Sequence, residues 1–197
     1  IRPLPASGQC EKFGDPITLD GEIVEHDIDY AAGDALLRLD RYYNSAAAVT
    51  LSDGASTRTP RWSWGYGSFL QVGASEVVAF RPDGQRWYFR LQGGSWKAVH
   101  PITNTQTAAA GGWQLRTADN RIESYDAAGR LLGLSRHDGR RIQLHYAAAT
   151  GWQLLRASDD YDRSLAFQYH AVPAVGLTAL QSVTLPDGSA IAYAVDP

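Results

Sequence analysis

The sequence predicts an all-β chain of antiparallel hairpins, stacked side by side as a curled, twisted repeat sheet. Three observations predict it. Apolar residues recur with period two, Asp-Gly pairs punctuate the chain at turn positions, and windows of eleven residues with helical spacing are hard to find. The composition agrees, with 19 Gly, 6 Trp and 10 Tyr among 197 residues. Glycine supplies turns, and aromatic side chains favour pleated, half-buried surfaces.

Taken in order, Trp62, Trp64 and Tyr66 fall on one face of an alternating segment, and Trp87, Phe89 and Leu91 do the same. Ile142, Leu144 and Tyr146 follow, then Leu165, Phe167 and Tyr169, and finally Ile191, Tyr193 and Val195. His145 alternates away from Leu144 and Tyr146, which puts it on the less apolar face. The alanine runs at 46–48, 108–110 and 147–149 are flanked by Gly, Thr or Asn and read as loop.

The reversals are Asp53-Gly54, Asp83-Gly84, Asp138-Gly139 and Asp187-Gly188, with Gly93-Gly94 and Gly111-Gly112 as further candidates. Asp-Gly suits a two-residue type I′ hairpin, in which both central residues take positive φ. Pro82 and Pro186 precede two of these pairs and preset φ at the start of the turn. Gly139→Val is expected to disrupt its hairpin by forbidding positive φ.

The second half repeats itself. Units beginning at Gly129, Gly151 and Gly176 each run glycine, strand, turn, then a second strand that ends in Tyr146, Tyr169 or Tyr193. A unit this short cannot bury its own apolar face, so each must stack on its neighbours.

Size and charge narrow the function. A chain of this length hides roughly 70% of its unfolded surface, so no disulfide or metal staple is required for stability. The net charge of −3 and pI near 5.9 lack the basic face that a nucleic-acid binder uses against phosphate. No stretch approaches the 18 apolar residues of a membrane-spanning helix. Ile1 in place of Met is expected of a processed or trimmed chain, so any signal peptide would already be missing. The single cysteine, Cys10, sits in a Pro- and Gly-rich leader and reads as an exposed thiol.

Chemistry-bearing patterns are sparse. There is no Gly-x-Ser-x-Gly nucleophile elbow, and no phosphate loop or Gly-x-Gly-x-x-Gly. The histidines at 26, 100, 137, 145 and 170 lack zinc-ligand spacing. Asp27-x-Asp29 and Asp159-Asp160-x-Asp162 offer carboxylates for calcium but lack the loop glycines of calcium motifs. No catalytic residue, cofactor or metal is therefore assigned. Trp62, Trp64 and Tyr66 are the candidates for stacking against a sugar ring, with a core between sheet layers as the plainer reading.

Tyr125-Asp126-Ala127-Ala128-Gly129-Arg130-Leu131, followed by Asp138-Gly139-Arg140 and a strand to Tyr146, resembles a YD repeat of the Rhs (rearrangement hotspot) family. Gly14-Asp15-Pro16-Ile17, then Glu25-x-Asp27-x-Asp29-Tyr30 and Leu37-x-Leu39-x-Arg41-Tyr42-Tyr43-Asn44-Ser45, is similar to the domain that precedes the repeats in bacterial Rhs proteins. The repeat after the first carries Tyr161-Asp162 in a different phase, and the last has lost both the Tyr-Asp pair and the arginine.

The resemblance implies three segments: a leader at 1–13, an Rhs N-terminal β domain at 14–118, and degenerate YD-repeat hairpins at 119–197. It implies a non-enzymatic structural module of a secreted polymorphic-toxin shell, or cocoon, which helps fold and encapsulate a C-terminal effector. The partners expected are the rest of the shell and its toxin cargo, with no nucleic acid and no membrane insertion. Delivery by type VI or other secretion routes would make it a secreted or cell-surface-delivered bacterial protein. The architectural residues would be Tyr125, Asp126, Gly129, Arg130 and the Asp-Gly turns. An open sheet edge invites pairing, so a homodimer, or cover from the leader, is also expected. The alternative is a stand-alone binding module that recognises a glycan or a partner protein through exposed aromatics.

Overall fold

The computed structural model describes residues 23–33, 36–45, 62–99, 104–109, 111–147, 151–172 and 177–194. Among them every regular element is a strand, and every paired neighbour is antiparallel. The strands β1 (Val24–Ala31), β2 (Arg38–Asn44) and β3 (Trp62–Trp64) form one sheet. A second contains β4 (Phe69–Val72), β5 (Glu76–Phe80), β6 (Arg86–Gln92) and β7 (Ser95–Ala98).

The third is a nine-stranded meander in chain order. It opens with β8 (Thr105–Ala109), β9 (Gly112–Arg116), β10 (Ile122–Asp126) and β11 (Leu131–Ser135). It continues through β12 (Arg141–Tyr146), β13 (Leu154–Asp159), β14 (Ser164–Val172), β15 (Leu177–Thr184) and β16 (Ala190–Ala192). The junction expected between 118 and 119 falls in the turn that joins β9 to its paired neighbour β10.

One turn recurs six times. Segments 81–85, 117–121, 126–130, 136–140, 159–163 and 185–189 each close with the first N–H donating to the fifth carbonyl, at 2.8–3.0 Å. The fourth residue is left-handed in all six: Gly84, Asn120, Gly129, Gly139, Asp162 and Gly188, with φ between 60 and 89°. This is a three-residue loop with one left-handed residue, not the two-residue type I′ turn expected of Asp-Gly. Asp83, Asp138 and Asp187 do not take positive φ. Each instead accepts the N–H two residues on with its Oδ1, at 2.9, 3.2 and 2.9 Å. The true pair of left-handed residues is Gly93-Gly94, between the paired residues Gln92 and Ser95. Asp53-Gly54 lies outside the described residues.

Alternation holds in β12 and β14 but not throughout: in β3 Ser63 is buried between half-buried Trp62 and Trp64, and in β6 Leu91 is exposed. In β12 Ile142 and Leu144 are buried while His145 is exposed, and in β14 Leu165 and Phe167 are buried. Ala108 and Ala109, expected as loop, belong to β8. Tyr66 lies beyond β3 in the following turn, and Tyr193 beyond β16, so neither extends its strand.

The inner face of the meander packs against the two smaller sheets in one continuous core. Leu115, Leu131, Ile142, Leu165 and Val183 meet Leu37, Leu39, Leu70, Val77 and Phe89 there. Burying each such side chain contributes about 1.5–3 kcal/mol. The contacts wrap round the meander: Trp113 in β9 meets Trp96 in β7 edge-on, and Tyr193 meets Trp64 edge-on and donates to Asp29 at 2.7 Å.

Candidate functional site

The repeat motif lies where the meander docks onto the second sheet. Asp126 accepts the Arg130 N–H with Oδ1 at 2.9 Å and its Nε–H with Oδ2 at 3.0 Å, so the pair locks its own turn. Arg130 then donates to the Gly151 carbonyl and stacks over the Tyr146 ring at 4.8 Å. The Gly129 carbonyl accepts from Leu70 N–H at 2.8 Å. A Cβ on Gly129 would sit 2.0 Å from the Leu70 carbonyl, so glycine is needed for close approach as well as for φ.

The same lock recurs at Asp159 and Arg163, with Nε to Oδ2 at 2.7 Å and Arg163 N–H to Oδ1 at 3.0 Å. Asp159 therefore corresponds to Asp126, and Asp162 stands where Gly129 does. The Tyr161-Asp162 pair lies inside this turn, three positions later than Tyr125-Asp126 lies relative to its own, in keeping with the different phase read from the sequence, and Tyr161 N–H donates to Asp159 Oδ1 at 2.9 Å. At the exposed 136–140 turn, the hydrogen bond from Arg140 brings the Asp138 carboxyl down to about 2. Asp187 is lowered by bonds from Ser189.

Tyr125 is buried on the inner face, and its hydroxyl donates to Glu123 Oε2 at 2.7 Å. Glu123 also takes two parallel bonds from Arg81, at 2.6 and 2.7 Å. Burial pulls Glu123 upward, but the hydrogen bonds and charge of Arg81 win and hold it below its usual range. Arg81 is raised by the same bonds, against the desolvation that opposes its charge. Neither residue was singled out in the sequence. The readable signal was parity, because Glu123 shares the inward register of Tyr125.

The three ring candidates are spread over different surroundings. Trp62 is tilted against Tyr43 at 5.1 Å with the Arg41 guanidinium over it, and Trp64 packs against Tyr193. Tyr66 is buried, edge-on to Phe167, with its hydroxyl donating to the Leu36 carbonyl at 3.4 Å. The acidic clusters are engaged by arginine: Asp27 and Asp29 by Arg41, Asp159 by Arg163, and Asp160 by Arg141. Among the described residues no three His, Cys, Asp or Glu side chains converge as metal ligands.

A polar cavity of about 470 Å³ opens at the meeting of the three sheets. The β1–β2 hairpin contributes His26, Arg38, Asp40 and Tyr42. The β5–β6 hairpin adds Arg81, Asp83 and Trp87, and the 117–121 turn adds Asp119 and Arg121. Asp40 is shared by His26 Nε2 at 2.8 Å and by two bonds from Arg38 at 2.6 and 2.5 Å. The His26 ring stacks on Tyr42 at 4.4 Å. Burial, reinforced by the Asp40 charge, pushes the Tyr42 hydroxyl up to about 12. Asp83 is also raised by burial.

Compared with known proteins, the chain matches no protein-family model and no curated protein.

Proposed function

We propose that this chain is a non-enzymatic wall segment of a YD-repeat shell, and that it forms a filled end of that shell. The observation that carries this reading is the nine-stranded meander of similar hairpins, whose inner face is occupied by β1–β7. A sheet built by adding hairpins can be lengthened one unit at a time, because each unit offers its neighbour the same edge and the same apolar stripe. Five of the six copies of one turn join successive strands of this meander and keep them in register, and the Asp-Arg lock stiffens two of them. At the far end, β16 has no outer partner strand among the described residues. Such an edge is a template for the next strand. The β1–β7 sheets occupy the space that a cargo would fill farther along, so this segment closes the wall. Enclosure of a toxic effector, secretion, and delivery to a target cell follow from the resemblance and belong to the proposal.

The test is to recover the native product with an antibody against this chain, measure its intact mass and image it. A product several times 21.5 kDa that forms a hollow particle with extra protein density inside supports the reading. A product near that mass, or a large one with no cavity, overturns it. The isolated chain is expected to self-associate through β16. Sedimentation as a monomer whose edge is ordered and uncovered contradicts that part.

A further inference from the structure

We infer that the cavity between the three sheets is a binding site for a small zwitterion carrying one carboxylate and two cationic groups, the pattern of a basic α-amino acid. Much of the charge on the cavity wall is already paired. Arg38 is spent on Asp40, through two hydrogen bonds. Arg81 is spent on Glu123 in the same way. Arg136, also on the wall, has a partner of its own.

Three charged groups remain incompletely matched. The Arg121 Nε is buried without a hydrogen-bond partner, and Nη2 lies 3.7 Å from Glu123, beyond hydrogen-bond reach. Asp83 is half-buried, and the hydrogen bonds it accepts come from backbone N–H groups of its own turn, that of Gln85 among them at 2.9 Å. Asp119 lies at the exposed side and accepts the Thr117 hydroxyl. Neither carboxylate is in an ion pair among the described residues. A partly buried carboxylate and a buried guanidinium N–H left unpaired are costly, and a ligand that pairs both recovers that cost.

One guanidinium and two carboxylates call for a ligand with one anionic and two cationic groups. L-arginine and L-lysine have that pattern, and about 470 Å³ is ample room for either. The ligand carboxylate goes to Arg121 and its two cationic groups to Asp83 and Asp119. Tyr42 and Trp87 line the space between, each with one ring face already covered, by His26 and by Arg81.

The test is calorimetric titration of the whole chain with L-arginine, L-lysine, agmatine, sucrose and inorganic phosphate. L-arginine and L-lysine are expected to bind saturably, and agmatine, which lacks the carboxylate, about tenfold or more weakly, a factor worth about 1.4 kcal/mol. Arg121→Gln should remove the difference between L-arginine and agmatine. Asp83→Asn, which keeps an oxygen for the Gln85 N–H, should weaken both at least tenfold with an unchanged circular dichroism spectrum. Absence of saturable binding by both amino acids overturns the inference, as does agmatine binding as tightly as L-arginine. Sucrose or phosphate binding that either variant abolishes also overturns it, in favour of a neutral or an anionic ligand. If a variant fails to fold, the comparison of L-arginine with agmatine on the unaltered chain still decides.

Discussion

Arg81 and Glu123, 42 residues apart in sequence, meet in two parallel hydrogen bonds of 2.6 and 2.7 Å with both side chains buried. Arg81 follows β5 in the second sheet, and Glu123 lies in β10 of the meander. The pair therefore bolts one sheet to the other, and Tyr125 completes the acceptor's coordination from the next inward position. A buried pair of this kind is a weak source of net stability but a strong determinant of alignment, because either charge left alone in the core is costly.

Removing one partner tests that asymmetry. Arg81→Met strands the Glu123 charge and is expected to cost about 3–5 kcal/mol, measured by urea unfolding. Arg81→Met combined with Glu123→Leu removes both charges and should recover most of the loss. A double variant as unstable as the single one would show that the charges themselves, not their mutual satisfaction, hold the sheets together.

The pair also sets a pH dependence with a definite sign. Glu123 titrates below its ordinary 4.5 in the folded chain, so the unfolded chain binds its proton first as pH falls. The stability it contributes is whole above about pH 4.5 and is lost as pH drops through the lowered folded value. Melting temperatures of the chain and of Glu123→Gln, followed from pH 7 to pH 2, should therefore converge on acidification. A gap that stays constant would remove Glu123 from the acid response.

How far the sequence carried differs between strands and site. Period-two alternation placed β12 and β14 correctly, because one face of each is buried and the other wet. The turn glycines were legible as left-handed positions, but the aspartates before them were misread. Their carboxylates hold the following N–H instead of the residue adopting positive φ, and no local pattern distinguishes the two. The cavity was invisible because its walls come from segments about 95 residues apart, His26 to Arg121, brought together only by packing. Glu123 carried no signal beyond its parity with Tyr125, because Ile122, its apolar neighbour, takes the opposite face.

Two glycines with nearly the same φ separate turn strain from docking. Gly129 and Gly139 have φ of 87 and 89°, yet a Cβ would meet the Leu70 carbonyl at 2.0 Å on the first and nothing within 4 Å on the second. Gly139→Ala should lose about 1–2 kcal/mol, the cost of a left-handed side chain. Gly129→Ala should lose that plus the cost of moving β4, a total of about 3 kcal/mol or more. Equal losses in denaturant titrations would mean that the 126–130 turn does not bear on Leu70.

Asp162 supplies the converse case. It takes φ of 60° at the place in the 159–163 turn that Gly129 fills in its own. It is exposed, while the turn's carboxylate lock is made by Asp159. Asp162→Gly therefore relieves a left-handed side chain without removing an interaction that closes the turn. The gain expected is up to about 1 kcal/mol, offset in part by the greater freedom of glycine in the unfolded chain. For a chain of this size that is a rise of roughly 2–4 °C in Tm, readable by scanning calorimetry. Asp159→Ala, which removes the lock, should lower Tm instead. If Asp162→Gly lowers Tm as well, Asp162 makes an interaction the turn depends on, and its equivalence to Gly129 fails.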